Sequence, residues 1–189
     1  MSVLYIIGGA NGSGKTTVAL RILPVLGVME YVNADAIAAG LSPLKPDVMA
    51  MQAGRLMLER LDVLSEAGTD FAFETTLAAR TFVPFLRSCK ARGYRINLIY
   101  FWLSSPDLAV QRVAERVASG GHSIPEATVR RRYERGRKNL MQLYLPLCDR
   151  WIIYNNAGTS LNAVAQSGSD GQPIVYDLES WTQIAEGIE

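Results

Sequence analysis

The sequence has 189 residues, of which 49% are hydrophobic, and this length suits one α/β domain that buries its own core. Its formal net charge is +1, which excludes the global positive field that drives indiscriminate binding to nucleic acids or membrane surfaces. We therefore expect a single domain over residues 1–189, with neither a nucleic acid nor a membrane as its partner.

The first half of the chain alternates short apolar runs with longer segments of helical period. Residues 3–7 are predicted to form a buried central strand, because β-branched and aromatic residues follow one another there before a glycine-rich turn, after which a helix should begin near Lys15. Two shorter candidate strands, residues 31–35 and 70–74, end in polar residues. Residues 47–67 have helical spacing, and we expect their methionines to fill the core. The apolar positions of this helix are Val48, Met51, Met57, Leu58, Leu61 and Leu64.

The alternation continues through the middle of the chain. A helix over residues 80–92 precedes the strongest strand candidate, residues 96–103, and Ser105 followed by proline predicts another helix start. A glycine-containing loop then leads to a basic helix that begins at residue 126 and runs towards Tyr144. Residues 116–140 therefore have the pattern of a lid.

The C-terminal part adds strands to this arrangement. Residues 151–154 predict one strand, and residues 161–165 and 173–176 predict a hairpin. Strand and helix signals that alternate in this way favour an α/β fold, with a mostly parallel central sheet flanked by helices.

The residues between the first strand and the first helix match the phosphate-loop pattern GxxxxGK[ST], also called Walker A. Glycines let successive backbone N–H groups converge on phosphate oxygens, and the helix N-terminus adds a positive dipole end. We expect Lys15 to bridge the β- and γ-phosphates, Thr16 to ligate Mg²⁺ and Thr17 to reach the α-phosphate. The alternative is a glycine-rich turn that carries Lys-Thr by chance. The pattern predicts ATP or GTP with Mg²⁺, bound by Gly9, Ala10, Asn11, Gly12, Ser13, Gly14, Lys15, Thr16 and Thr17.

Carboxylates follow two predicted strands at the sheet edge that carries the phosphate loop. Asp35 is the candidate base that accepts a proton from a substrate hydroxyl; alternatively, it caps the helix that follows. Glu74 is expected to orient substrate or a water on Mg²⁺, and Thr76 to hydrogen-bond the substrate, unless they form an ordinary polar strand end. Arg80 is a candidate for contact with an acidic substrate. The candidate substrate-binding residues are Asn33, Glu74, Thr76 and Arg80.

Residues 129–138 are dense in cations, and guanidinium groups suit the oxygens of a transferring phosphoryl group. Adjacent helix positions face different directions, so only one or two of these arginines can point inward. Arg116 and Arg130 are the first candidates and Arg132 is the alternate; a solvated basic face or a nucleic-acid patch is the other interpretation. His122, the only histidine, is expected to shape the lid by a hydrogen bond and not to bind a metal.

Five segments together resemble the zeta toxin family of P-loop kinases, in order and spacing, across about three quarters of the chain. The most specific are the Glu-Thr-Thr element and the run Gly-Gly-His-Ser-Ile-Pro. Two departures stand out: the chain is shorter than the larger toxins, and Tyr154-Asn-Asn-Ala157 stands where relatives often have an Asp-Asn-Ser-like run. The matching segments are residues 9–17, 33–35, 73–76, 120–125 and 130–133.

The resemblance implies a P-loop kinase fold and a bacterial origin. Characterised members phosphorylate the amino-sugar hydroxyl of UDP-N-acetylglucosamine, often as a toxin held in check by an antitoxin. Carried over by motif, Lys15 holds phosphate, Asp35 is the base, Glu74 and Thr76 face the sugar, and lid arginines steady the transition state.

The leading hypothesis is therefore a Mg²⁺-dependent kinase that transfers phosphate from ATP, or from GTP, to a hydroxyl of a small molecule. The expected acceptor is a sugar nucleotide such as UDP-N-acetylglucosamine, and an antitoxin protein is a candidate partner. A nucleotide-binding interaction module and a polynucleotide-end kinase are the alternatives. Cys89 and Cys148 show no metal-ligand spacing, and the apolar run at residues 3–7 is too short for a signal sequence or a membrane span. We expect a cytoplasmic protein.

Overall fold

The computed structural model describes residues 1–121 and 123–187. Within them, seven strands form one sheet in the order β2-β3-β1-β4-β5-β6-β7. Strands β1 to β5 pair in parallel, and β6 and β7 continue the sheet as an antiparallel pair. The strands are β1 Val3–Gly9, β2 Glu30–Val32, β3 Phe71–Thr75, β4 Arg95–Trp102, β5 Arg150–Asn155, β6 Asn162–Ser167 and β7 Pro173–Val175. This architecture confirms the predicted mostly parallel α/β fold and the C-terminal hairpin.

Helices follow most of the strands. Short helical turns lie at Pro46–Met49 before α3, and at Leu140–Tyr144 and Leu145–Leu147 after α6. The helices are α1 Lys15–Val25, α2 Ala34–Leu41, α3 Ala50–Glu66, α4 Phe82–Ala91, α5 Pro106–Ala118, α6 Glu126–Asn139 and α7 Leu178–Ala185. Among the described residues, we find no helix with both the length and the apolar content that crossing a membrane requires.

The sheet is covered on both faces, which explains the continuous apolar runs of its central strands. Because side chains alternate along a strand, Ile6 packs into the core cluster that also contains residues of α3 and α4, whereas Ile7 joins the cluster that contains residues of α1. A third cluster, including Leu103 and Val129, lies between the end of β4 and helices α5 and α6. These three clusters hold the carboxyl ends of the strands at a fixed edge.

The larger differences from the prediction are two element boundaries and one helix. The strand predicted at residues 31–35 ends at Val32, because Asn33 caps α2: its side-chain oxygen accepts hydrogen bonds from the backbone N–H groups of Asp35 and Ala36. The interpretation of Asp35 as the cap is therefore wrong. The basic helix ends at Asn139, where a π turn replaces the α-helical hydrogen bonds. Helix α7, which was not predicted, begins after the capping residue Asp177.

Candidate active site

The phosphate loop connects β1 to α1 and depends on glycine at specific positions. Gly12 and Gly14 have φ values of 78° and 82°, in the left-handed region that other residues rarely adopt. A side chain at Gly9 would overlap the backbone carbonyl of Phe101 on β4. Glycine at these positions therefore suits the conformation of the loop, which leads directly into the N-terminus of α1.

Lys15 begins α1 and is 6% exposed. Its Nζ donates a hydrogen bond to the carbonyl of Ala10 at 2.8 Å and lies 3.6 Å from Oε1 of Glu74. Burial lowers the pKa of Lys15, and the nearby carboxylates of Glu74 and Asp35 oppose this shift. Lys15 is thus a poorly solvated cation for which an incoming anion supplies additional stabilisation.

Glu74, near the end of β3, joins the phosphate loop to the end of β2. Its Oε2 accepts hydrogen bonds from Thr16 Oγ1 at 2.8 Å, from Asn33 Nδ2 at 3.0 Å and from the hydroxyl of Tyr31. Burial, and then the charge of Glu74, raises the pKa of Tyr31, so this phenol remains a hydrogen-bond donor at neutral pH. Sequence reasoning missed Tyr31, because a tyrosine in an apolar strand is typical of the core.

These groups open onto a cavity of about 1000 Å³. The phosphate loop and the ends of β2 and β3 form one wall, α5 and α6 form another, and α3 forms a third. Seven cationic side chains and three anionic ones line it, a formal charge of +4 in a chain of net charge +1. The cations are Lys15, Arg55, Arg112, Arg116, Arg131, Arg132 and Arg135, and the anions are Asp35, Glu74 and Glu115. The cavity concentrates positive charge where the protein as a whole has little.

The structure brings most of the predicted site residues to this cavity. Of those predicted outside the phosphate loop, Asn33, Asp35, Glu74, Thr76, Arg116 and Arg132 line it. Within the loop, Asn11, Gly12, Gly14, Lys15, Thr16 and Thr17 line it, whereas Gly9, Ala10 and Ser13 lie outside the lining.

Two predicted arginines lie elsewhere. Arg130 is held by Asp107 at 2.7 Å and Glu126 at 2.8 Å and is not in the cavity lining. Its neighbours Arg131 and Arg132 line the cavity instead, since consecutive helix positions point about 100° apart. Arg80 also lies outside the lining, although the residues on both sides of it contribute. The choice of Arg130 as a lid cation is therefore corrected to the arginines that line the cavity.

Helix α6 also holds the turn that carries Thr76. The side chain of Asn139 donates to the carbonyl of Leu77 at 2.8 Å, and Gly136 packs against the carbonyl of Thr76 so closely that a Cβ would overlap it. Leu77 has a φ of 58°, a conformation that a leucine keeps only when its surroundings hold it. The turn after β3 and the arginines of α6 are therefore positioned by one helix.

The run at residues 154–157, where the sequence departs from the resembled family, supports the phosphate loop. Asn156 Nδ2 donates to the carbonyl of Ser13 at 2.9 Å, and Arg112 Nη2 donates to the carbonyl of Ala157 at 3.0 Å. Asn155 reaches Ser180 of α7 at 3.3 Å. The contact of Asn156 with Ser13 was not predicted, because the two residues are 143 positions apart in the sequence. The role predicted for His122 lies outside the described residues.

The phosphate loop follows a central strand of a mostly parallel sheet, and helices that carry arginines line the cavity in front of it. This combination defines a P-loop protein with a kinase-like fold. The chain belongs to the P-loop family AAA_33, described as an AAA domain, which matches residues 4–138.

Three comparisons place the chain among known proteins. An uncharacterized protein of Haemophilus influenzae is 30% identical over 125 residues, which are 66% of this chain and 88% of that protein. The crystal structure of AvrRxo1-ORF1:AvrRxo1-ORF2 with sulphate ions has a TM-score of 0.78 at 17% identity, covering 97% of this chain and 63% of that chain. The PezAT chromosomal toxin-antitoxin system of Streptococcus pneumoniae has a TM-score of 0.66 at 15% identity, covering 98% and 77%. At these identities the two structures show a shared fold, and this chain spans less than two thirds of the AvrRxo1 chain.

Proposed function

We propose that this protein is a Mg²⁺-dependent kinase that transfers the γ-phosphoryl group of ATP, or of GTP, to a hydroxyl of a small molecule, such as the sugar nucleotide UDP-N-acetylglucosamine. One observation supports this most directly: a single cavity is lined by Lys15 and Thr16 of the phosphate loop, by the carboxylates of Asp35 and Glu74, and by arginines of α5 and α6. These are the groups that phosphoryl transfer needs around one reaction centre.

The residues fit a nucleotide with its metal ion. Lys15 is buried beside the loop, and its lowered pKa reflects a cation that an added phosphate would stabilise. The Thr16 hydroxyl and the Glu74 carboxylate lie 2.8 Å apart, and hard oxygen ligands of this kind suit Mg²⁺. When bound, Mg²⁺ would neutralise negative charge on the phosphates of the nucleotide. A structure of similar fold, AvrRxo1-ORF1:-ORF2, was crystallised with ATP.

Asp35 is the proposed general base. It lies in the first turn of α2 and lines the cavity, and its charge offsets part of the lowering that burial imposes on the pKa of Lys15. Its carboxylate accepts the proton of the acceptor hydroxyl while the hydroxyl oxygen forms a bond to the γ-phosphorus. The bond from that phosphorus to the bridging oxygen breaks, and the nucleoside diphosphate leaves.

Arg116 and Arg132 are proposed to balance the negative charge of the transferring group, with Arg131 and Arg135 as further cations of the same wall. Glu74 and Thr76 are proposed to face the acceptor. The resemblance to zeta toxins, and a fold shared with the PezAT toxin-antitoxin system, support an antitoxin protein as the partner that restrains the activity.

The test is ADP release from Mg²⁺-ATP by the purified protein, with and without UDP-N-acetylglucosamine, followed by mass analysis of the acceptor. We expect acceptor-stimulated release, lost in Lys15→Ala and reduced by about 10²–10⁴ in Asp35→Asn, which should still bind nucleotide. Arg130→Ala is the matched control, because this arginine lies outside the cavity lining, and its activity should stay close to wild type. Nucleotide binding without transfer to any acceptor hydroxyl would contradict the proposal and favour a binding module.

A further inference from the structure

Helix α3 presents an unusual stripe to the cavity. Met51, Gly54, Arg55 and Leu58 follow the spacing i, i+3, i+4, i+7, so they lie on one face of the helix, and all four line the cavity. Met51 is 75% exposed and Leu58 is 38% exposed, contrary to the prediction that such positions fill the core. Two exposed apolar side chains thus lie beside an arginine at the cavity, whose lining elsewhere combines charged side chains with buried apolar ones such as Met57 and Phe82.

Gly54 interrupts α3 without a packing reason. It lies in the interior of a 17-residue helix and has no positive φ, so its backbone conformation is open to any residue. A Cβ built there would meet nothing within 4 Å. Glycine weakens a helix interior relative to alanine, so its presence has a cost that no contact within the described structure offsets. What it provides is room at the cavity wall between Met51 and Leu58.

Arg55 lies next to this gap. Its side chain has no hydrogen-bond or ion-pair partner among the described residues, whereas Arg60, farther along the same helix, is paired with Glu30 at 2.8 Å. The lid arginines belong to α5 and α6, on a different wall from α3. Arg55 therefore supplies a positive charge on the α3 wall, apart from the phosphate loop and the lid arginines. This charge can bind a ligand other than the phosphates of the nucleotide.

We propose that the stripe of α3 is the acceptor wall, and that it selects an acceptor with both a ring and an anionic oxygen group. The ring lies over Gly54, between the side chains of Met51 and Leu58, and the oxyanion binds the guanidinium of Arg55. Arg55 and Gly54 are specificity-determining residues in this arrangement. The inference rests on the proposed function, because the acceptor is that of the proposed transfer.

The experiment measures acceptor binding by calorimetry in the presence of Mg²⁺-ADP. The probes are UDP-N-acetylglucosamine and N-acetylglucosamine 1-phosphate as phosphate-bearing acceptors, glucuronate as a carboxylate, and N-acetylglucosamine as the uncharged ring. We expect the anionic probes to bind more tightly than the uncharged sugar, and the two kinds of anion to show whether phosphate or carboxylate is preferred. Absence of binding by all anionic probes at about 1 mM, the upper end of ordinary substrate affinities, overturns the proposal.

Two variants with matched controls test the wall itself. Arg55→Gln should weaken anionic probes by about tenfold or more and leave the uncharged sugar unchanged, whereas Arg87→Gln, an exposed arginine of α4 outside the cavity, should change neither. Gly54→Ala should raise the melting temperature yet weaken the acceptor about fivefold or more. Gly40→Ala, in α2 and also without neighbours, should raise the melting temperature alone.

The two proposals fail in different ways. Acceptor phosphorylation that is insensitive to Arg55→Gln and Gly54→Ala would overturn the acceptor wall and leave the kinase standing. Anionic binding that depends on both residues, without any phosphoryl transfer, would support the wall and contradict the kinase.

Discussion

Replacing Gly136 with alanine brings a methyl group against the backbone carbonyl of Thr76. Gly136 lies in the interior of α6, where its missing side chain lets the helix approach the turn after β3. The turn cannot withdraw easily, because the carbonyl of Leu77 accepts a hydrogen bond from Asn139 on the next turn of the same helix. Helix and turn must therefore separate, or the side chain of Asn139 must lose its partner.

The expected change is the difference between two opposing effects. Alanine favours a helix interior over glycine by about 0.5–1 kcal/mol. Overpacking a well-filled site costs about 1–3 kcal/mol, and the upper part of this range applies because the opposing atom is a held backbone carbonyl. We expect a net loss of about 1–2 kcal/mol in the free energy of unfolding, which lowers the melting temperature by about 2–8 °C for a chain of this size.

Urea unfolding of Gly136→Ala, with Gly40→Ala as the matched control, measures this difference. The control should gain stability, since a Cβ at Gly40 meets nothing within 4 Å. Because α6 also carries Arg132, we expect the value of kcat for Gly136→Ala to fall by about 10–100-fold, as misplacement of about 1 Å does in other active sites. A Gly136→Ala variant at least as stable as wild type would refute the reasoning.

Two further predictions concern the tyrosines. Tyr31→Phe removes one hydrogen-bond donor from the carboxylate of Glu74. We expect it to lower the free energy of unfolding, measured in urea without nucleotide, by about 1–2 kcal/mol, a range that allows for the partial exposure of the site. Equal stability of variant and wild type would contradict the role of the hydroxyl. The free energy of unfolding should also fall as the pH rises above 10. Burial raises the pKa values of Tyr100 and Tyr144, and it raises the pKa of Tyr133 to about 12. The tyrosines of the unfolded chain, with their ordinary pKa of 10.0, therefore lose their protons first, and this favours the unfolded state. The lowered pKa of Lys15 acts in the opposite direction, but burial also raises the pKa values of Tyr31, Tyr94, Cys89 and Cys148, so one group opposes seven. A rising stability between pH 10 and 12 would show that this balance is wrong.

The sequence predicted the central strands and the phosphate loop because both depend on local signals. Residues 3–7 and 96–103 are apolar on both faces, as buried parallel strands require, and the glycine pattern is fixed by backbone conformation. Helix α7 was missed because it is short and follows a hairpin, although Asp177 provides a capping signal that could have been recognised.

The cavity walls could be predicted only in part. The carboxylates at strand ends follow from the rule that parallel strands present their carboxyl ends at one edge. Tyr31 reaches Glu74 across 43 positions of sequence, and no local pattern reports such a contact. Helical period identified α3, but it did not show that Met51 faces a cavity, because that depends on which neighbours cover each face of the helix.

Part of the predicted lid, residues 116–140, packs into the core, and the sequence did not show this. Val129, Tyr133, Gly136 and Asn139 recur at intervals of three or four and are buried, and the hydroxyl of Tyr133 donates to the carbonyl of Leu103 at 2.6 Å. From Val129 onward, α6 is therefore part of the core, and it cannot open without exposing these side chains. The three arginines that α6 contributes to the cavity lining, Arg131, Arg132 and Arg135, belong to this part of the helix, so the fold fixes the positions of their backbones.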